Sequence, residues 1–170
     1  MDKIKKSLLL AIMAVCSTVL FSACGDDDKK DEPYNPNDKS TYVLEYEVEL
    51  SPAYLDYFDV EVSYTDISGQ TVTLPMNGRE YKNHESFPST MLQDRYDLSV
   101  KLMAKQPLPV IDANKTYRFE QEYEIELDKD RRDFRHVGNT NSISIRGDQL
   151  ERYINEKSGT YIISAYITTK

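Results

Sequence analysis

The chain has 170 residues, two cysteines and no tryptophan, and 29 acidic side chains against 21 Lys and Arg give a net charge of −8. That length fits one domain. The acidic balance argues against nucleic acid as a partner and against polybasic attraction to anionic lipid, and two cysteines exclude a disulfide-stapled scaffold.

In chain order, the first element is a leader. Lys3, Lys5 and Lys6 precede an apolar run from Leu8 to Phe21, interrupted by Ser17 and Thr18 and closed by Ser22-Ala23-Cys24. A basic start, a short apolar middle and small residues before the cut define a secretory signal peptide. The run, about 14 residues, falls short of the roughly 18 to 20 that cross a bilayer. Leu20-Phe21-Ser22-Ala23-Cys24 resembles the lipobox of bacterial lipoproteins, although Phe21 stands where leucine is commoner and Leu20 lies one position early. The resemblance implies a signal peptide over 1–23 and a lipidated, palmitate-type anchor on Cys24. Gly25 is followed by Asp26, Asp27 and Asp28, an acidic cluster similar to the export tag of surface lipoproteins in Bacteroidetes-type bacteria. That resemblance implies an outer-membrane protein displayed at the cell surface; a periplasm-facing anchor is the alternative, and a solvated spacer is the plain reading of the aspartates. The leader carries three lysines against one aspartate, so its removal takes the net charge from −8 to −10. Cys16 leaves with it, and with Cys24 lipidated the folded part has no thiol chemistry.

Residues 24–40 form an acidic tether rich in Asp, Lys, Asn and Pro, too poor in apolar groups to offset the entropy of ordering. From residue 41 the pattern changes to a single domain over 41–170. Tyr42, Leu44, Tyr46, Val48 and Leu50 alternate with Glu45, Glu47 and Glu49, the signature of a half-buried strand. After Ser51-Pro52 comes a short turn or helix, then a strand carrying Phe58, Val60, Val62 and Tyr64. Asp66 to Gly69 reads as a turn with Gly69 free to take positive φ. Val72, Leu74 and Met76 continue as an antiparallel partner, and Pro75, which lacks an N–H, marks an edge. Residues 77–94 show no regular pattern. Tyr96, Leu98, Val100 and Leu102 form a strand, with Tyr96 a candidate for a corner tyrosine bonded back to backbone. The clearest alternation runs from Tyr117 to Leu127, with Gln121 the one polar residue on its inner face. Asp128 to Asp133 is a charged loop, and Phe134 to Ile145 a strand broken at Gly138 and Asn139. A helix is expected from Asp148 to Lys157, with Asp148 and Glu151 as a capping box and Gly159 as its stop. Tyr161, Ile163, Ala165 and Ile167 face inward on a last strand that reads as covered on both sides. The expected fold is all-β: an antiparallel sandwich of about seven strands, immunoglobulin-like or transthyretin-like, with one short helix before the last strand.

No constellation of catalytic residues is legible. His84 and His136 lack zinc-ligand spacing, and His84-Glu85-Ser86 are chain neighbours that point opposite ways on an extended backbone. Asp128, Asp130 and Asp133 alternate with Lys129, Arg131 and Arg132, so they read as a self-neutralised loop rather than a calcium site. No catalytic residue, metal or cofactor is expected. Among the thirteen tyrosines, most sit at core-facing positions, and Tyr54, Tyr57 and Tyr81 fall in irregular segments as ligand-binding candidates. The expectation is a lipid-anchored, non-catalytic binding module at the cell surface that recognises a glycan or an envelope protein; the alternative is a structural or assembly subunit of an envelope complex.

Overall fold

A computed structural model describes residues 39–170. Cys24 and Asp26, Asp27 and Asp28 lie outside the described residues, as does most of the 24–40 segment. The elements are β1 (Thr41–Leu50), α1 (Pro52–Tyr57), β2 (Phe58–Thr65), β3 (Thr71–Pro75), β4 (Glu80–Pro88), a 3₁₀ turn (Ser89–Met91), β5 (Arg95–Ala104), β6 (Thr116–Lys129), β7 (Arg132–Arg146), α2 (Gly147–Lys157) and β8 (Tyr161–Thr168). They form two four-stranded antiparallel sheets, ordered β4-β1-β6-β7 and β3-β2-β5-β8, called sheets A and B below.

The alternating residues of β1, β2 and β5 bury their apolar faces completely, and together with Phe119, Ile125 and Leu127 of β6 they make one core between the sheets. Period-two alternation dictates this, because one face of each strand must leave water for the sheet to be stable. Rings dominate the packing. Phe119 meets Tyr54 edge-on with centroids 5.0 Å apart and Tyr153 at 4.8 Å. Leu150, Tyr153 and Ile154 present the buried side of α2.

The strand count is eight rather than seven. The added strand, β4, comes from the segment without a regular pattern. It lies at the edge of sheet A, and only Phe87 in it is fully buried, so polar residues on both faces hid its period. β7 runs unbroken through Gly138, whose missing Cβ would sit 3.0 Å from the Tyr123 carbonyl. The charged loop shrinks to a tight hairpin turn with Asp130 and Arg131 both at positive φ, the geometry of a two-residue connection. The predicted capping box is absent. Arg146 occupies the N-cap position without a side-chain cap, and Asp148 lies in the first helical turn, ion-paired to Arg146 at 3.1 Å. Gly147 begins the helix because a Cβ there would meet the Asp112 carbonyl oxygen at 2.0 Å.

The turn at 66–69 forms as expected. Gly69 has φ +81°, and Asp66 Oδ1 accepts from the backbone N–H of Ser68 and of Gln70. Those bonds, led by the Ser68 hydroxyl, hold the Asp66 carboxyl below its ordinary range. Pro75 closes β3 at the edge of sheet B. The Tyr96 hydroxyl accepts the Gln93 backbone N–H at 3.1 Å, a corner bond three residues back along the chain.

Candidate functional site

The three tyrosines nominated from the sequence do not gather on the surface. Tyr54 and Tyr57 lie on α1 and are buried. The Tyr54 hydroxyl donates to Gln121 Oε1 at 3.0 Å, and Gln121 Nε2 donates to the Ile162 carbonyl at 2.8 Å. The one polar side chain on the inner face of β6 is therefore satisfied on both sides. Tyr57 packs edge-on against Tyr117 at 5.6 Å, and its hydroxyl is pushed up to about 12, first by burial and then by its bond with Tyr117. Tyr81, on β4, is half-buried and packs on Tyr64 at 5.8 Å. All three act as packing rings, and an amphipathic helix turn at 52–57 is the sequence signal that accounts for two of them.

Among the described residues, the tyrosines that do face solvent are Tyr161, 61% exposed, and Tyr166, 53% exposed. Five positions apart on a regular strand, they would point to opposite faces. A bulge changes this. Val100 pairs with Ile163 and Lys101 with Tyr161, so Ile162 is an extra residue in β8. Tyr161 consequently leaves the inward row to which strict alternation assigned it and joins Tyr166 on the outer face of sheet B. That face is open, with Ser164, Tyr166 and Thr168 exposed, so β8 is covered on one side only.

The register then orders the outer face into rows crossing four strands. In the first, Thr71 pairs with Thr65, whose Oγ1 accepts the Asp97 N–H at 3.2 Å, and Asp97 pairs with Tyr166; Thr73, Ser63, Ser99 and Ser164 form the second, and Pro75, Glu61, Lys101 and Tyr161 the third. The middle row is made wholly of hydroxyls, and Ser63 Oγ and Thr73 Oγ1 lie 2.8 Å apart. The two tyrosines are separated by four residues of β5, about 13 Å at the rise of an antiparallel strand. Ser164 lies between them, so the floor is low where the rings rise.

Tyr166 is held from one side. The Arg95 guanidinium sits 3.9 Å from its ring centroid, and Arg95 Nε donates to both Asp97 oxygens at 2.8 and 3.0 Å. The Asp97 bond raises the Arg95 pKa further. An arginine fixed by a two-oxygen contact keeps its plane, and the ring beneath keeps its rotamer. Across these rows and beside Tyr166 the charges are Arg95 and Lys101 against Asp97 and Glu61, which balance.

The outer face of sheet A differs sharply. Glu45 pairs directly with Glu126, Glu47 with Glu124 and Glu49 with Glu122. Lys82 meets Glu47 at 3.0 Å, His84 meets Glu45 at 3.4 Å and His136 meets Glu124 at 2.7 Å, each an exposed cation-side partner on a half-buried glutamate. His84 is thereby a cross-strand partner of a carboxylate, and Glu85 accepts from Asn83 instead. No group of His, Cys, Asp and Glu able to hold a metal ion occurs among the described residues. No described helix is long and apolar enough to cross a membrane.

No protein-family model matches the chain, and no curated protein matches it.

Proposed function

We propose that the protein is a lipid-anchored, non-catalytic binding module displayed at the cell surface, and that its ligand is a neutral glycan lying across the outer face of sheet B. The observation that carries this is the pair of exposed tyrosines brought onto one face by the β8 bulge, with a row of hydroxyls between them. A sugar ring has an apolar C–H face and a rim of hydroxyls. Tyr161 and Tyr166 offer flat apolar rings with few rotamers to freeze, and Thr73, Ser63, Ser99 and Ser164 offer donors and acceptors that rotate to suit. The acidic body disfavours an anionic polymer, and the near-balanced charge of the strip removes any need for a cationic one. Lipid anchoring through Cys24 and export guided by Asp26, Asp27 and Asp28 supply the place in which such a module works. Among the two fold types expected, the transthyretin-like one is favoured here. Immunoglobulin domains keep their first two strands in one sheet, whereas β1 and β2 belong to different sheets.

Affinity electrophoresis of the full chain tests the reading, using gels cast with mixed-linkage β-glucan, xylan or mannan. Retardation by at least one neutral polymer is expected. Unchanged mobility in all of them, together with co-purification of a stoichiometric envelope protein, would replace this reading with that of an assembly subunit.

A further inference from the structure

Sheet edges are where a β-protein invites or refuses another strand, and three of the four edges here carry devices that refuse it. β3 spans 5 residues and ends in Pro75. β4 carries Glu80, Lys82, His84 and Glu85 and ends in Pro88. β8 carries the bulge. β7 has none of these along Gly138-Asn139-Thr140-Asn141-Ser142-Ile143-Ser144. That stretch has no charge and no proline, keeps a regular register with β6, and is exposed on both faces. Its far edge pairs with no strand among the described residues.

We infer that this edge docks a second copy of the same chain, the two β7 strands pairing antiparallel about a two-fold axis through Thr140. The sequence is complementary to itself in that register. Thr140 faces Thr140, Asn139 faces Asn141, Gly138 faces Ser142, Val137 faces Ile143 and His136 faces Ser144. Cross-strand Thr–Thr and aliphatic pairs are among those that stabilise antiparallel ribbons. Ile143, 46% exposed in the single chain, acquires an apolar neighbour. Beyond the pairing, Arg135 falls opposite Ile145 and Arg146 opposite Phe134. Apolar matching selects this register over its neighbours, since a shift by a side-chain repeat sets Ile143 against Asn139 in one direction and against Arg135 in the other. An isologous contact of this kind closes on itself and joins two copies of sheet A into one continuous sheet. The outer faces of sheet B, with their tyrosines, stay free.

Disulfide trapping in membranes of cells producing the full chain tests the pairing. Directly opposed residues of antiparallel strands have Cα atoms about 4.5 or 5.5 Å apart, within the span of a disulfide. The Thr140→Cys variant is expected to give a dimer band on a non-reducing gel under mild oxidation, at least tenfold stronger than the unmodified chain or Ser68→Cys, which lies in the distant 66–69 turn. Adding Ile143→Lys to Thr140→Cys is expected to cut the band several-fold, and adding Ile143→Val to preserve it. A Thr140→Cys band no stronger than that of Ser68→Cys overturns the proposal. A strong band indifferent to Ile143→Lys overturns the register.

Discussion

At the scale of single residues, the fold depends on a few side chains whose neighbours cannot be replaced by water. Tyr54 donates to Gln121 and Gln121 donates to Ile162, so a polar group on the inner face of β6 is tolerated only because both its ends are bonded. Tyr54→Phe should therefore cost about 1 to 2 kcal/mol in chemical denaturation, since it strands the Gln121 carbonyl oxygen. Gly147 is more sensitive. A methyl group there would overlap the Asp112 carbonyl, and Gly147→Ala should cost about 2 to 3 kcal/mol and lower the melting temperature accordingly. Neither partner was legible in the chain. Gln121 stood out by breaking an apolar row, but its bond to a helix residue 67 positions away depends on tertiary packing. Gly147 gave no sequence signal at all, because the demand for a missing Cβ arises from a loop that crosses it.

At the scale of elements, alternation served well wherever one face was buried and failed wherever both faces met water. β1, β2, β5 and β6 were legible because their inner residues are apolar and their outer ones polar. β4, at an edge and polar on both faces, was not. β8 was misread at one end, since a bulge reverses the facing of every residue on one side of it and leaves no mark in the composition. The outer face of sheet A carries a consequence for pH. Glu126 faces Glu45 on β1 and His136 on β7, with Glu124 and Asp128 flanking it on its own strand. Partial burial, then Asp128, Glu124 and Glu45, raise its pKa, and His136 opposes them. An acid with a raised folded pKa binds its proton more readily folded than unfolded. This group therefore weakens the fold at neutral pH and ceases to do so as pH falls through its folded pKa. Glu126→Gln should accordingly stabilise the protein by about 0.5 kcal/mol at pH 7, and the gain should vanish near pH 4. Thermal melts of the two proteins across that range would decide it.

At the scale of the whole molecule, two sheets present two unlike outer faces. One is a ladder of opposed glutamates that discourages anionic polymers, and the other is a low hydroxyl floor bounded by two tyrosines. The all-β class of the fold was legible in the sequence, while the site itself required the register, because rows crossing the strands bring together residues as far apart as Ser63 and Ser164. The central claim is that Tyr161 and Tyr166 form the binding face. It is tested most directly by calorimetry on the full chain and its Tyr161→Ala/Tyr166→Ala variant, with the neutral polysaccharide that retards the protein most. Each ring should be worth about 1 to 2 kcal/mol, so the double variant should bind at least tenfold more weakly while melting within a degree or two of the parent. An affinity unchanged by loss of both rings would contradict the account.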